Sequence, residues 1–78
     1  MKNENLLERI IIDSNIMVGK PVIKGTRITV QLILRLLGQG MSYDDLLQNY
    51  PNLTKEDIQA CFLFVTKKLD DVMFAPLV

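Results

Sequence analysis

Hydrophobic positions along this chain follow one period near its start and another from about position 30. Glu8-Arg9-Ile10-Ile11-Ile12-Asp13 is a short β-branched run and predicts a strand. Val22-Ile23 and Arg27-Ile28-Thr29 are two shorter strand candidates. Gly19 and Gly25 punctuate them, and Pro21 removes a ladder donor. Residues 8–29 therefore read as a small β-hairpin or ribbon. Ahead of it, Met1 to Leu7 is polar at first and is expected to fray.

From Val30 onward the period becomes helical. Thr29 is a plausible N-cap, and Val30, Ile33, Leu34 and Leu37 then share one helical face. Gly38 and Gly40 stop that helix. Ser42 caps a second helix, with Asp45 in its first turn and Leu46, Leu47 and Tyr50 on its apolar side. Pro51 ends it by pushing Tyr50 out of the α region. Thr54-Lys55-Glu56-Asp57 opens a third helix. Its expected inner stripe is Ile58, Cys61, Phe62, Val65 and Leu69, with Leu63 and Phe64 off the stripe. A helix apolar around so much of its circumference is buried on two sides, one by its own core and one by a partner. The predicted fold is mainly α. It is a single domain with a three-helix helix-turn-helix bundle over 30–70, a small N-terminal β-hairpin, and an apolar tail over 71–78.

Size sharpens the expectation of a partner. A chain of 78 residues buries only about 60% of the surface it exposes when unfolded. With 49% apolar residues, some apolar surface is left for a second chain, and a homodimer is expected. No stretch approaches the ~18 apolar residues of a membrane span and no signal peptide opens the chain, so a cytoplasmic location without membrane contact is expected.

Formal net charge is zero, but the charges are segregated. No acid occurs from Ser14 to Tyr43, where Lys20, Lys24, Arg27 and Arg35 give +4. From Asp44 to Asp57 the balance is −3. One region is thus suited to phosphate and another to a basic partner, although solvated surface charge gives the same composition. Gly19-Lys20-Pro21-Val22-Ile23-Lys24-Gly25-Thr26-Arg27 is not a phosphate loop, since Gly-Lys-Ser/Thr is missing from its end. It reads either as a basic ribbon against a nucleic-acid backbone or as a structural hairpin with solvated cations.

The second and third helices, joined by Pro51-Asn52-Leu53, form a helix-turn-helix pattern. The first turns of the later helix would then offer Lys55, Glu56 and Gln59 to bases, with Glu56 and Asp57 opposing phosphate. A plain three-helix bundle fits the same spacing. Catalysis has little to build on: there is no histidine, a lone Cys61 in an apolar run, and adjacent acid pairs that point about 100° apart on a helix. Neither an enzyme, nor a metal site, nor a cofactor, nor a small-molecule substrate is expected.

The run Gly19-Lys20-Pro21-Val22-Ile23-Lys24-Gly25-Thr26-Arg27-Ile28-Thr29-Val30 resembles the signature of the family catalogued as domain of unknown function 433. The resemblance continues through Ile33-Leu34-Arg35-Leu36-Leu37, Gly40-Met41-Ser42, Leu46-Leu47, Tyr50-Pro51-Asn52-Leu53-Thr54 and Glu56-Asp57-Ile58-Gln59-Ala60. It covers about residues 9 to 65. The chain departs from the family pattern at Asn15-Ile16-Met17-Val18, where a proline and often a cysteine or histidine are usual. The resemblance implies a homeodomain-like three-helix fold with an N-terminal β element. It also implies a frequent role as antitoxin beside a PIN-like ribonuclease toxin.

The leading expectation is accordingly an antitoxin that binds operator DNA and blocks its toxin. Lys20, Lys24, Thr26, Arg27, Lys55 and Gln59 are the expected DNA contacts. Leu63, Phe64, Asp70, Asp71, Met73, Phe74 and Leu77 are the expected partner contacts. The rival expectation is a protein-interaction module that never touches DNA.

Overall fold

Three hydroxyl caps set the starts of three helices. Thr29 Oγ1 accepts from the Leu32 N–H at 3.0 Å, Ser42 Oγ from the Asp45 N–H at 3.1 Å, and Thr54 Oγ1 from the Asp57 N–H at 3.2 Å. In this computed structural model, which describes residues 3–71, the helices that follow are α2 (Val30–Gly38), α3 (Tyr43–Asn49) and α4 (Lys55–Asp70). Ahead of them come a short helix α1 (Asn3–Leu7) and the strands β1 (Ile10–Ile11) and β2 (Val22–Ile23).

Helix ends are equally local. Past α2, Gly40 at φ 102° directs its N–H to the Leu37 carbonyl (3.0 Å), and Met41 N–H reaches the Leu36 carbonyl (3.1 Å). This is the paired C-terminal closure that a left-handed glycine allows. α3 stops at Tyr50, whose ψ of 80° leaves the helical region immediately before Pro51.

The sheet is smaller than the sequence predicts. β1 pairs antiparallel with β2 through Ile10↔Ile23 and Ile11↔Val22. The expected strand over 8–13 is cut short because Ile12 turns outward and Asp13 starts a turn, its carboxylate accepting from the Asn15 N–H at 2.9 Å. Arg27-Ile28-Thr29 does not form a strand; it contributes an isolated bridge from Thr29 to Val22. The expectation of fraying ahead of the strand is also corrected: residues 3–7 are helical, and α1 packs on α4 with Leu6 buried.

The core is Ile23, Val30, Ile33, Leu46, Leu53, Ile58 and Cys61, drawn from β2, the three long helices and the turn before α4. The expected α2 stripe faces it: Val30 and Ile33 are buried, and Leu34 and Leu37 pack against them. α4 is rotated relative to the expected stripe. Phe62 is 44% exposed and Leu69 52% exposed, while Phe64 packs inward with Val65. α4 therefore buries positions 57, 58, 60 and 61 rather than a stripe through Phe62 and Leu69. Leu69 also lies near the far end of α4, beyond the last buried position.

Between the strands, Met17, Val18 and Gly19 all adopt positive φ (49°, 55° and 79°). Only the glycine does so without steric cost. Val18 is β-branched and 92% exposed, so no packing offsets its conformation. The left-handed region costs such a residue about 1–2 kcal/mol, against about 0.5–1 kcal/mol for the added freedom of glycine in the unfolded chain. Val18→Gly is expected to stabilise the fold by roughly 1 kcal/mol. The measurement is a urea midpoint that rises at constant slope; a midpoint that falls rules out the left-handed turn.

Candidate nucleic-acid and partner surfaces

The ribbon presents its cations on a tight turn. Thr26 N–H donates to the Ile23 carbonyl at 3.0 Å, with Gly25 at φ 81° supplying the left-handed position. Thr26 Oγ1 donates to the same carbonyl at 2.8 Å and accepts from the Ile28 N–H at 3.0 Å. Its hydroxyl thus shapes the turn from within. Lys20, Lys24 and Arg27 are exposed, and among the described residues none of them forms an ion pair. Arg27 borders a shallow hollow of about 340 Å³ shared with Ile16, Gly25 and Thr26.

A residue missed by the sequence reading ties this turn to the helices. The Lys24 N–H donates to the Arg9 carbonyl at 2.7 Å, and Arg9 Nη1 reaches Asp57 Oδ1 at 3.1 Å. Asp57 is only 5% exposed. Its other oxygen accepts from the Thr54 N–H at 3.0 Å, completing a reciprocal capping box at the start of α4. The Thr54-to-Asp57 spacing was the available signal: a capping acid that is also buried requires a cation. Asp57, expected to repel phosphate, is instead buried and paired.

The six expected DNA contacts do not share one face. At about 100° per residue, Asp57 and Gln59 point some 200° apart around α4. The side gripped by Arg9 and the ribbon is therefore opposite the side that exposes Lys55 and Gln59. That outer side carries Phe62 and half-buried Leu63 as well. Gln59, Phe62 and Leu63 join Leu6 of α1 around an open groove of about 480 Å³.

Of the expected partner contacts, Leu63 lies on this groove and Phe64 does not. Phe64 packs on the core, with Lys68 Nζ 5.5 Å from its ring centroid. Asp70 and Asp71 are exposed at the C-terminal end of α4, where the helix dipole disfavours acids and Lys67 and Lys68 oppose their charge. Met73, Phe74 and Leu77 lie outside the described residues. Among the described residues no three side chains of metal-ligating type come together, and no helix is long and apolar enough to cross a membrane.

Cys61 is fully buried, and burial, with the nearby charge of Asp57, pushes its thiol up to about 12. The thiolate is the reactive form.

Together these features define a small, mainly helical bundle fronted by a two-stranded antiparallel sheet. The family model described as protein of unknown function, DUF433, matches residues 10–65, and the chain belongs to this family. The crystal structure of a DUF433 member protein from Anabaena variabilis is similar to it, with a TM-score of 0.76 and 31% identity, covering 87% of this chain and 67% of that one. An uncharacterized protein of Archaeoglobus fulgidus is 60% identical over 30 residues, 38% of this chain and 83% of that protein.

Asp57→Ala removes the acceptor for the Thr54 N–H and the ion pair together and is expected to cost about 2–3 kcal/mol, and Arg9→Ala, which leaves the buried carboxylate without its cation, about 2 kcal/mol. Because the two share one interaction, Arg9→Ala should cost little more once Asp57 is gone; fully additive losses in urea titrations reject the coupling. The thiol makes a separate prediction. Its pKa is raised, so Cys61 stays neutral through pH 8 to 10, and thiol reagents should modify it only as the chain unfolds. Rapid labelling of the folded protein at pH 8 contradicts its burial.

Proposed function

We propose that this chain is the DNA-binding antitoxin of a toxin–antitoxin pair. Lys20, Lys24 and Arg27 grip operator phosphates, and the C-terminal segment from Asp70 through Leu77 holds a PIN-like ribonuclease. The observation that carries the DNA half is the basic turn: three exposed cations within eight residues, free of acids and braced by internal hydrogen bonds that leave every charge available. The main electrostatic objection weakens, because the charge of Asp57 is buried against Arg9. The toxin half rests on the family resemblance and on the acids at the end of α4, which suit a basic active-site rim.

A second reading, a protein-interaction module without DNA contact, is favoured by one observation. The outer face of α4, where Lys55 and Gln59 were expected to read bases, is continuous with the apolar groove at Phe62 and Leu63.

Fluorescence anisotropy on a duplex from upstream of its own coding region separates the two. The first reading expects binding that falls steeply with salt, and Lys24→Ala with Arg27→Ala should weaken it and lower the slope of log K against log salt by about 2. Absence of salt-dependent binding, with a ribonuclease still co-purifying, supports the second. A loss of affinity in Gln59→Ala larger than in the ribbon variant would return the DNA site to α4.

A further inference from the structure

The outer face of α4 has a chemical pattern that reads the same after reversal and exchange of charge. Six residues lie within about a 100° arc of the helix: Lys55, Gln59, Phe62, Leu63, Thr66 and Asp70. Their midpoint falls between Phe62 and Leu63. Moving outward from it, apolar Phe62 is balanced by apolar Leu63, then polar Gln59 by polar Thr66, then cationic Lys55 by anionic Asp70. We propose that this face is the interface of an antiparallel homodimer, in which α4 of one protomer lies along α4 of a second copy about a two-fold axis at that midpoint. The inference stands apart from the DNA reading, and it assigns Asp70 to the dimer, leaving Asp71 and the residues after it for a toxin.

An isologous contact needs a surface complementary to itself, and charge provides the strongest filter for one. In this register each Lys55 meets Asp70 of the second copy, so both ends of the seam carry opposite charges. The two charges are about 22 Å apart along one helix and cannot pair within it. Among the described residues neither has an ion-pair partner. Antiparallel alignment also sets the positive end of each α4 dipole beside the negative end of the other, which offsets the acids at its C-terminus.

The middle of the seam is apolar and bordered by an open groove. Phe62 is 44% exposed there, beside the groove of about 480 Å³ that it forms with Leu6, Gln59 and Leu63. The two-fold axis carries Phe62 of each protomer toward the groove of the other. Thr66 Oγ1 donates to the Phe62 carbonyl at 2.8 Å, so its proton is engaged within α4. Its oxygen still accepts, and the Gln59 amide of the second copy is a donor at the matching position.

Sedimentation at tens of micromolar with charge-reversed variants tests the register. Lys55→Glu and Asp70→Lys each set like charges opposite one another twice per dimer, and each alone should weaken dimerisation by about tenfold. Both substitutions suit the helix dipole, so neither threatens the fold. Mixing the two variants restores attraction at both ends, and the mixture should sediment as a heterodimer although each component alone is shifted toward monomer. Phe62→Glu should give a folded monomer by circular dichroism. A monomeric wild-type chain at about 100 µM, a dimer that survives Phe62→Glu, or a mixture that fails to recover the dimer overturns the proposal.

Discussion

The pairing of Arg9 with Asp57 pins the start of α4 in the rotation that buries Ile58, Ala60 and Cys61, and much of the molecular surface follows from that rotation. Burying a carboxylate is costly unless its lone pairs are filled and its charge is met. Asp57 has both: Arg9 engages one oxygen, the Thr54 N–H the other, and the positive end of the α4 dipole lies beneath it. With Asp57 turned inward, positions 58, 60, 61, 64 and 65 follow it to the core or its edge, and Lys55, Gln59 and Phe62 are left outside. The same arginine holds the ribbon through its carbonyl, so one residue joins the basic turn to the start of α4.

A domain of this size has little interior, and most of its side chains lie at or near its surface. Here they divide by chemistry. On the side held by Arg9, cations project from a turn whose polar groups satisfy one another, an arrangement that favours phosphate without recruiting acids. On the opposite side of α4, apolar residues are flanked by single charges of opposite sign, which favours a protein surface. On the proposed reading, the separation lets a nucleic-acid backbone and a protein bind without competition between them.

The departure from the family pattern at Asn15-Ile16-Met17-Val18 falls on the left-handed turn. Three consecutive residues at positive φ reverse the chain between β1 and β2, and hydrogen bonds from Gly19 N–H to the Ile16 carbonyl and from Lys20 N–H to the Met17 carbonyl hold them there. Valine is a poor residue for that conformation. The turn is set by its closure and by the pairing of the strands on either side, and local preference is overridden.

What the sequence by itself determined were features whose causes lie within a few residues. Thr29, Ser42 and Thr54 start their helices because a hydroxyl needs only the N–H three positions on, and Gly40 and Pro51 end two of them for equally local reasons. The family signature was legible for the same reason, as a continuous run through the ribbon. The tertiary structure alone decided three other matters. α1 is too short to persist without packing, so its existence depends on Leu6 meeting α4. Thr26 looked like a phosphate contact until the fold placed a carbonyl and an N–H around its hydroxyl. Apolar residues from Ile58 to Val65 cover most of the circumference of α4, so periodicity could not choose between Phe62 and Phe64 for the core. That choice was made by packing of Ile58 and Cys61 against β2, α2 and α3, and Arg9, 48 positions from Asp57, pins the start of the helix in that rotation; both exist only once the chain has folded.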